Sequence, residues 1–237
     1  MPDSSSNPSL PNEPAPRFLD AGESALVVEF GRVVDPHIHD RVLALDRALL
    51  AANIDGVIET VPTYRSLMVH YDPRRLARDE IVERAGALVD RAGSVRTTPQ
   101  VRRVPVCYEP PHAEDLAEVS RELGIDERRI VEIHSSARYR LYMYGFLPGY
   151  AYLGRLPKEL EIPRRANLRS PVPTGALIIA GEQVVIAGVP SITGWYMLGR
   201  TPLRVFDLER EPPSLFDAGD EIVFEPISAA EYERLAS

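Results

Sequence analysis

Residues 144–154 read YGFLPGYAYLG and combine three glycines, one proline and four aromatic residues. Gly145, Gly149 and Gly154 free the backbone at points where a side chain would clash with its surroundings. Pro148 fixes its own φ at about −65° and so stiffens the same run. Ordinary core packing does not need this mixture. The glycine-aromatic run, as we call residues 144–154, therefore predicts a shaped surface that another molecule can approach closely.

The composition is that of a globular protein with one large or two modest domains. The chain has 237 residues, of which 44% are hydrophobic and 26% are charged. No apolar run approaches the roughly 20 residues of a membrane span, and residues 1–16 lack the features of a signal peptide. We expect a disordered tail over 1–16, a cytoplasmic location and no membrane partner. The net charge of −8 argues against nucleic acid as a partner.

Cysteine and lysine occur once each, and this limits the chemistry. Cys107 is the only cysteine, so internal disulfides and thiolate metal clusters are excluded, and its VPVCY context predicts a buried strand residue. Lys158 is the only lysine and lies in LPKELE, so the chain has no Gly-x-x-x-x-Gly-Lys phosphate loop. Any use of ATP must do without one.

Residues 17–93 predict an α+β domain of order ββαββα, with helices packed on a sheet. The predicted elements are strands at 18–20 and 25–30, a helix that Asp35 caps and that continues to residue 52, strands at 56–61 and 67–71, and a helix around 81–89.

Residues 94–100 are polar and aperiodic and are predicted to be a linker to a second domain over 101–237. A strand at 102–108 is followed by helices at 114–123 and 126–134, the first ending at Gly124 and the second capped by Asp126. Short β-rich runs then predict a barrel or a sandwich, with strands at 177–180, 184–187, 203–206 and 221–224.

Three arginines follow Pro163 and are the main candidates for anion binding. Guanidinium groups bind carboxylates and phosphates through two parallel hydrogen bonds, and a rigid loop can aim Arg164, Arg165 and Arg169 at one anion. The alternative is a solvated basic turn. His134 closes a helix, where the helix dipole favours an imidazolium that can bind an anion or act as an acid. The alternative there is a capping or surface histidine.

Other side chains give weaker indications of a function. Tyr152 and Trp195 can form an aromatic wall for a ligand, although the core of a barrel would have the same composition. No serine lies in a nucleophile elbow, so a triad hydrolase is not expected. Glu114 and Asp115 are expected to interact with a helix dipole. His37 and His39 have no second histidine pair, and we predict no metal site.

Taken together, these residues resemble one family, the B subunits of bacterial 5-oxoprolinases. That family overlaps the sporulation-kinase inhibitors and the first subunit of allophanate hydrolase-type proteins. The matching motifs span most of residues 18–227 and include VPVCY at 104–108, GFLPGYAYLG at 145–154, PRRA at 163–166, GW at 194–195 and GRTP at 199–202.

The resemblance implies a ferredoxin-like N-terminal domain followed by a cyclophilin-like β-barrel. It also implies that the chain acts with two partners, a paralogous barrel protein and a lactam hydrolase. Together such proteins hydrolyse 5-oxoproline to glutamate with ATP and Mg²⁺, shared with the partner; no biotin is attached to this chain.

On this resemblance we predict a role for each candidate residue. His134 and Arg165 would be catalytic. Tyr152, Arg164, Arg169 and Trp195 would bind substrate. Gly145, Pro148, Gly149 and Gly194 would shape the loops.

The sequence departs from the family pattern at residues 187–193, AGVPSIT, where the family commonly has a tyrosine and a second glycine. Another small lactam, amide or urea-like substrate is therefore an alternative to 5-oxoproline. Two further functions remain open: inhibition of a sensor histidine kinase, and one half of a urea carboxylase or allophanate-type carboxyltransferase.

Overall fold

The computed structural model describes residues 15–92 and 99–237. The chain divides into two compact units, Met1–Val95 and Arg96–Ser237. Most of the expected tail (1–16) and linker (94–100) lies outside the described residues, and the first strand begins at Arg17, where the first domain is predicted to start.

The first unit has the element order that the sequence predicts. Its elements are β1 (Arg17–Asp20), β2 (Ala25–Glu29), α1 (Pro36–Ala52), β3 (Val57–Pro62), β4 (Ser66–Tyr71) and α2 (Arg78–Ala92). Asp35 caps α1 as expected, because its carboxylate accepts hydrogen bonds from the backbone N–H groups of His37 and Ile38.

These four strands form one antiparallel sheet in the order β1-β2-β4-β3. Strand β4 lies between β2 and β3, which α1 connects, so the unit contains a split βαβ crossover. Strand β1 occupies the edge that the last strand of a ferredoxin-like fold normally takes. The unit is therefore a permuted version of the predicted ferredoxin-like domain, and its core lies between the sheet and the two helices.

The described part of the second unit, residues 99–237, contains seven strands and three α-helices. They are β5 (Val101–Cys107), α3 (Leu116–Leu123), α4 (Glu127–Ser136), β6 (Arg138–Tyr144), β7 (Ala151–Arg155), β8 (Ala176–Ala180), β9 (Gln183–Ile186), β10 (Tyr196–Arg200), β11 (Glu221–Ile227) and α5 (Ala229–Ala236). A short 3₁₀ helix, Lys158–Leu160, follows β7.

The strands close a barrel in the order β10-β5-β11-β6-β7-β9-β8. All neighbours are antiparallel except β5 and β11, which run parallel. Cys107 is buried at the end of β5, as predicted, and burial raises the pKa of its thiol.

The barrel wall at β8 and β9 is buried on both faces. Leu177 and Ile179 point into the barrel core, which receives side chains from all seven strands. Ile178 and Val185 belong to a separate apolar cluster. Because successive side chains of a strand point to opposite faces, this second cluster covers the outer face of the wall. Strand β8 therefore reads as a continuous apolar run, ALIIA.

Some sequence predictions for this unit are wrong. Residues 203–206 form no strand, and Phe206 makes only an isolated bridge to Ser214. The strand of this region is β10, whose pairing with β8 and β5 is a long-range interaction. The helix expected from residue 114 begins at Leu116, whereas its end at Gly124, in a left-handed conformation, is as predicted.

Candidate functional site

A cleft of about 250 Å³ lies on the outer face of the barrel wall. Three loops and the wall surround it. The lining residues are Phe146, Tyr150 and Tyr152 from the glycine-aromatic run, Arg164, Arg165 and Leu168 from residues 163–173, Ile192, Thr193, Gly194 and Trp195 from residues 187–195, and Ile178 and Val185 from the wall. We call residues 163–173 the arginine loop and residues 187–195 the cleft loop.

Two aromatic rings and the Arg164 guanidinium lie together in the cleft. Tyr152 and Trp195 meet edge to face, with ring centroids 6.3 Å apart. The guanidinium carbon of Arg164 lies 5.6 Å from the centroid of the Trp195 ring, a cation–π arrangement. Burial raises the pKa of Tyr152, and the nearby charge of Arg164 opposes that rise. The Tyr152 phenol is therefore a neutral O–H donor at physiological pH.

Backbone hydrogen bonds join the arginine loop to the cleft loop. The N–H groups of Arg165 and Arg169 donate to the carbonyls of Gly194 and Thr193, at 2.8 and 3.1 Å. Val172 and Ser191 exchange two further bonds in an isolated bridge. The Ser191 hydroxyl also bonds to the Tyr150 hydroxyl. The loops therefore support each other although neither contains a strand of the barrel.

The glycine-aromatic run turns tightly against the cleft loop. Gly149 has φ +70°, and a Cβ there would overlap the side chain of Phe206. A Cβ on Gly188 would come within 2.5 Å of the Pro148 carbonyl oxygen, so the two backbones touch at this point. Gly194 has room for a side chain. At Gly145 a Cβ would meet only the flexible end of Met143.

Carboxylates from α3 and the residues before it engage two of the three arginines. Arg165 Nη1 donates to Glu118 Oε2 at 2.6 Å and to Asp115 Oδ1 at 3.2 Å. Arg169 pairs with Asp115 and with Glu114, and only 5% of its side chain is exposed. Asp115 lies at the N-cap of α3, where a dipole interaction is expected, but its side chain makes no cap hydrogen bond there and pairs with Arg165 and Arg169.

Asp115 is the centre of this network. Its carboxylate also accepts the N–H of Met197 at 2.6 Å, and its own N–H donates to the Met197 carbonyl at 3.1 Å. Burial raises its pKa, against the lowering effect of the Met197 N–H and of the two arginines. Asp115 thereby fastens the arginine loop to the start of α3 and to β10.

His134 lies in the barrel core and not in the cleft lining. It is fully buried, its ring stacks on Phe224 at 5.0 Å, and its Nδ1 is hydrogen-bonded to the Tyr108 hydroxyl at 2.8 Å. Burial lowers its pKa to about 3, so the imidazolium expected from the helix dipole does not form at neutral pH. The desolvation penalty exceeds the dipole effect at this site, and the surface alternative is excluded as well.

The structure thus brings Tyr152, Arg164, Arg165 and Trp195 to one cleft. It places His134 elsewhere, and it commits the Arg169 guanidinium to carboxylates. Sequence reasoning missed the apolar lining and the role of Asp115. The i, i+3 spacing of Asp115 and Glu118 near the start of a predicted helix was the available signal.

Within residues 15–92 and 99–237, no three histidine, cysteine or acidic residues are grouped so that they could hold a metal ion. In the same part of the chain, no helix is long and apolar enough to cross a membrane.

The family model of the carboxyltransferase domain, subdomain C and D, matches residues 16–216. A 5-oxoprolinase B subunit from Bacillus subtilis strain 168 is 30% identical, over 89% of this chain and 92% of that protein. A second 5-oxoprolinase B subunit, from Escherichia coli O157:H7, is 34% identical over 86% of this chain and 93% of its own length. This chain belongs to the carboxyltransferase-domain family, in the group of 5-oxoprolinase B subunits.

One solved structure has the same fold as this member of the 5-oxoprolinase B-subunit group. The crystal structure of TTHA0988 matches with a TM-score of 0.78 and 35% identity. The match covers 86% of this chain but 40% of the TTHA0988 chain, so that chain carries additional polypeptide beyond the matched part.

Proposed function

We propose that this chain is one subunit of an ATP-dependent lactam hydrolase, most closely a 5-oxoprolinase, and that it is active only in complex with partner subunits. The observation that carries the proposal is the cleft, in which Arg164, Tyr152 and Trp195 surround about 250 Å³. Two relatives named as B subunits of 5-oxoprolinase match nearly the whole chain. Such a complex would work in the cytoplasm.

In this proposal the cleft holds and orients the lactam. The Arg164 guanidinium binds the carboxylate of 5-oxoproline through two parallel hydrogen bonds. The rings of Tyr152 and Trp195 pack on the five-membered ring, and the Tyr152 hydroxyl donates to the amide oxygen. An unstrained lactam is a poor electrophile, and ATP supplies the activation of its amide oxygen that hydrolysis requires.

Exposed apolar side chains at the mouth of the cleft support the proposal that a partner protein binds there. Three large apolar side chains stand exposed around it: Phe146 is 74% exposed, Leu168 73% and Ile192 59%. Phe146 also has φ +68°, which is unusual for a bulky residue. Large exposed apolar side chains grouped around one cleft are typical of an interaction site. We propose that the paralogous barrel protein covers this mouth.

The test is lactam-dependent ATP hydrolysis by the purified chain, with and without the barrel partner and the lactam hydrolase partner. We expect 5-oxoproline to stimulate ATP hydrolysis only in the complete mixture. Absence of stimulation by 5-oxoproline and by other small lactams, amides and urea would contradict the proposal. A carboxyltransferase role, which the name of the family model suggests, would then become the better candidate.

A further inference from the structure

The charges around the cleft do not suit ATP, the second substrate of the proposed reaction. Arg165 and Arg169 face Asp115, Glu114 and Glu118, so two guanidinium groups meet three carboxylates. These five groups together carry one net negative charge. The sequence suggested three arginines for anion binding, whereas the folded loop leaves two of them already paired.

Arg164 differs from its neighbours in this respect. Its side chain is exposed at the cleft, and it makes no ion pair with any residue in the described parts of the chain. Its position over the Trp195 ring holds the planar guanidinium against an aromatic face. The cleft therefore offers one unpaired positive charge to a ligand.

A nucleoside triphosphate needs considerably more than one unpaired positive charge. Proteins that bind one surround its phosphates with backbone N–H groups, a lysine or arginines, and a carboxylate-held Mg²⁺. Here the only lysine, Lys158, lies in the 3₁₀ helix and does not line the cleft. No cluster of acidic residues suitable for a metal occurs within the described ranges.

The apolar part of the cleft lining leads to the same conclusion. Ile178 and Val185 form its floor, and Leu168 and Ile192 stand at its sides. These apolar groups suit a small ring and offer nothing to a ribose or to a chain of phosphates.

We propose that the cleft is selective for small monoanions, namely a flat amide or lactam ring with a single carboxylate, and that it does not accept ATP. Asp115, Glu114 and Glu118 set this selectivity by neutralising Arg165 and Arg169. The inference rests on the proposed function and deepens it: the nucleotide is bound by a partner protein, and this chain contributes the lactam site.

Asp115 and Glu118 act as positioning residues in this account. They keep Arg165 turned towards α3, where its Nη1 is satisfied, although its buried Nε has no hydrogen-bond partner in the described residues. Removing a carboxylate would release a guanidinium to bind a ligand with a second negative charge. A purely structural role would not produce such a gain of binding.

The single tryptophan of the chain makes the proposal directly measurable, because Trp195 lies in the cleft. The full chain is titrated with 5-oxoproline, with uncharged 2-pyrrolidinone and with MgATP while Trp195 emission is recorded. We expect a saturable change with 5-oxoproline and at least about tenfold weaker binding of 2-pyrrolidinone, which lacks the charge-assisted hydrogen bonds. MgATP should neither change the emission nor displace 5-oxoproline.

Two results separate this inference from the proposed function. If MgATP binds and competes with 5-oxoproline, the inference is wrong while the proposed lactam hydrolase stands. If neither compound binds to the chain alone or to the chain with its barrel partner, the proposed function fails, and the inference fails with it.

Variants test the role of the carboxylates. Glu118→Gln should bind inorganic phosphate at pH 8 at least about fivefold more tightly than the wild type, whereas Glu132→Gln, at an exposed ion pair on α4, should not. Asp115→Asn should show the same gain if it folds, as judged by circular dichroism. Unchanged phosphate binding in folded Glu118→Gln would overturn the role of these carboxylates.

Discussion

Arg164 and Arg165 are neighbours in the chain but have different environments. Arg165 is largely buried and bonded to Asp115 and Glu118. Arg164 is exposed over Trp195 and has no carboxylate partner among the described residues. The dipeptide alone contains no signal that distinguishes the two, because the difference arises from α3, which is remote in sequence. The assignment of a ligand to Arg164 therefore depends on the fold.

Replacing Arg164 should weaken substrate binding more than it slows the reaction. In Arg164→Gln we expect the KM for 5-oxoproline to rise about tenfold in the complete complex, with little change in kcat, because a charge-assisted hydrogen bond in the bound state is lost. Arg155→Gln, which breaks an exposed ion pair with Glu182 in the same unit, is the control. Equal kinetics for the two variants would argue against a lactam carboxylate at Arg164.

His134 should influence stability and not the reaction. Its folded-state pKa is about 3, whereas an unfolded histidine titrates near 6.5. The unfolded chain therefore binds the extra proton as the pH falls from 6.5 towards 3, and the free energy of unfolding decreases. At pH 5 the loss should be about 2 kcal/mol.

Denaturant titrations between pH 5 and pH 7.5 measure this effect. In His134→Gln the free energy of unfolding should fall by about 2 kcal/mol less between pH 7.5 and pH 5 than in the wild type. The variant should nevertheless be less stable at pH 7.5, because a buried hydrogen bond changes. If the variant keeps the full pH dependence, another group must be responsible for it.

At the scale of elements, local signals predicted α1 to α4 but not α5, and they predicted the barrel strands less well. Asp35, Gly124 and Asp126 mark helix ends through caps that involve only neighbouring residues. Strand β10 was missed because pairing with β8 and β5 determines it, and the β-prone residues 203–206 have no such partners. The cleft could be predicted in part, since its glycines and aromatic rings stood together in the sequence.

The contact between Gly149 and Gly188 should be essential for the cleft. In Gly188→Ala the added Cβ would lie 2.5 Å from the Pro148 carbonyl oxygen and from Gly149 backbone. Neither backbone can move without disturbing the turn, so we expect a loss of stability of about 1–3 kcal/mol by urea unfolding. Gly194→Ala, with its nearest contact at 3.6 Å, should stay within about 0.5 kcal/mol of the wild type. Equal stability of the two variants would contradict the close approach.

On the scale of the whole molecule, the exposed rim of the cleft should decide assembly. Leu168→Ser together with Ile192→Ser should reduce co-purification of the barrel partner about tenfold or more, because apolar anchors at the centre of an interface dominate its affinity. Leu208→Ser removes another exposed leucine of the same unit, one that does not line the cleft, and it should have no effect. Normal assembly of the double variant would exclude the cleft mouth as the docking surface.

The central claim is that the cleft on the outer barrel wall holds the lactam. A crystal structure of the chain, with its barrel partner if required, in complex with 5-oxoproline tests this claim most directly. We predict the lactam ring between Tyr152 and Trp195, with its carboxylate about 3 Å from the Arg164 guanidinium. A lactam bound outside this cleft, or bound in it without contact to Arg164, would contradict the account.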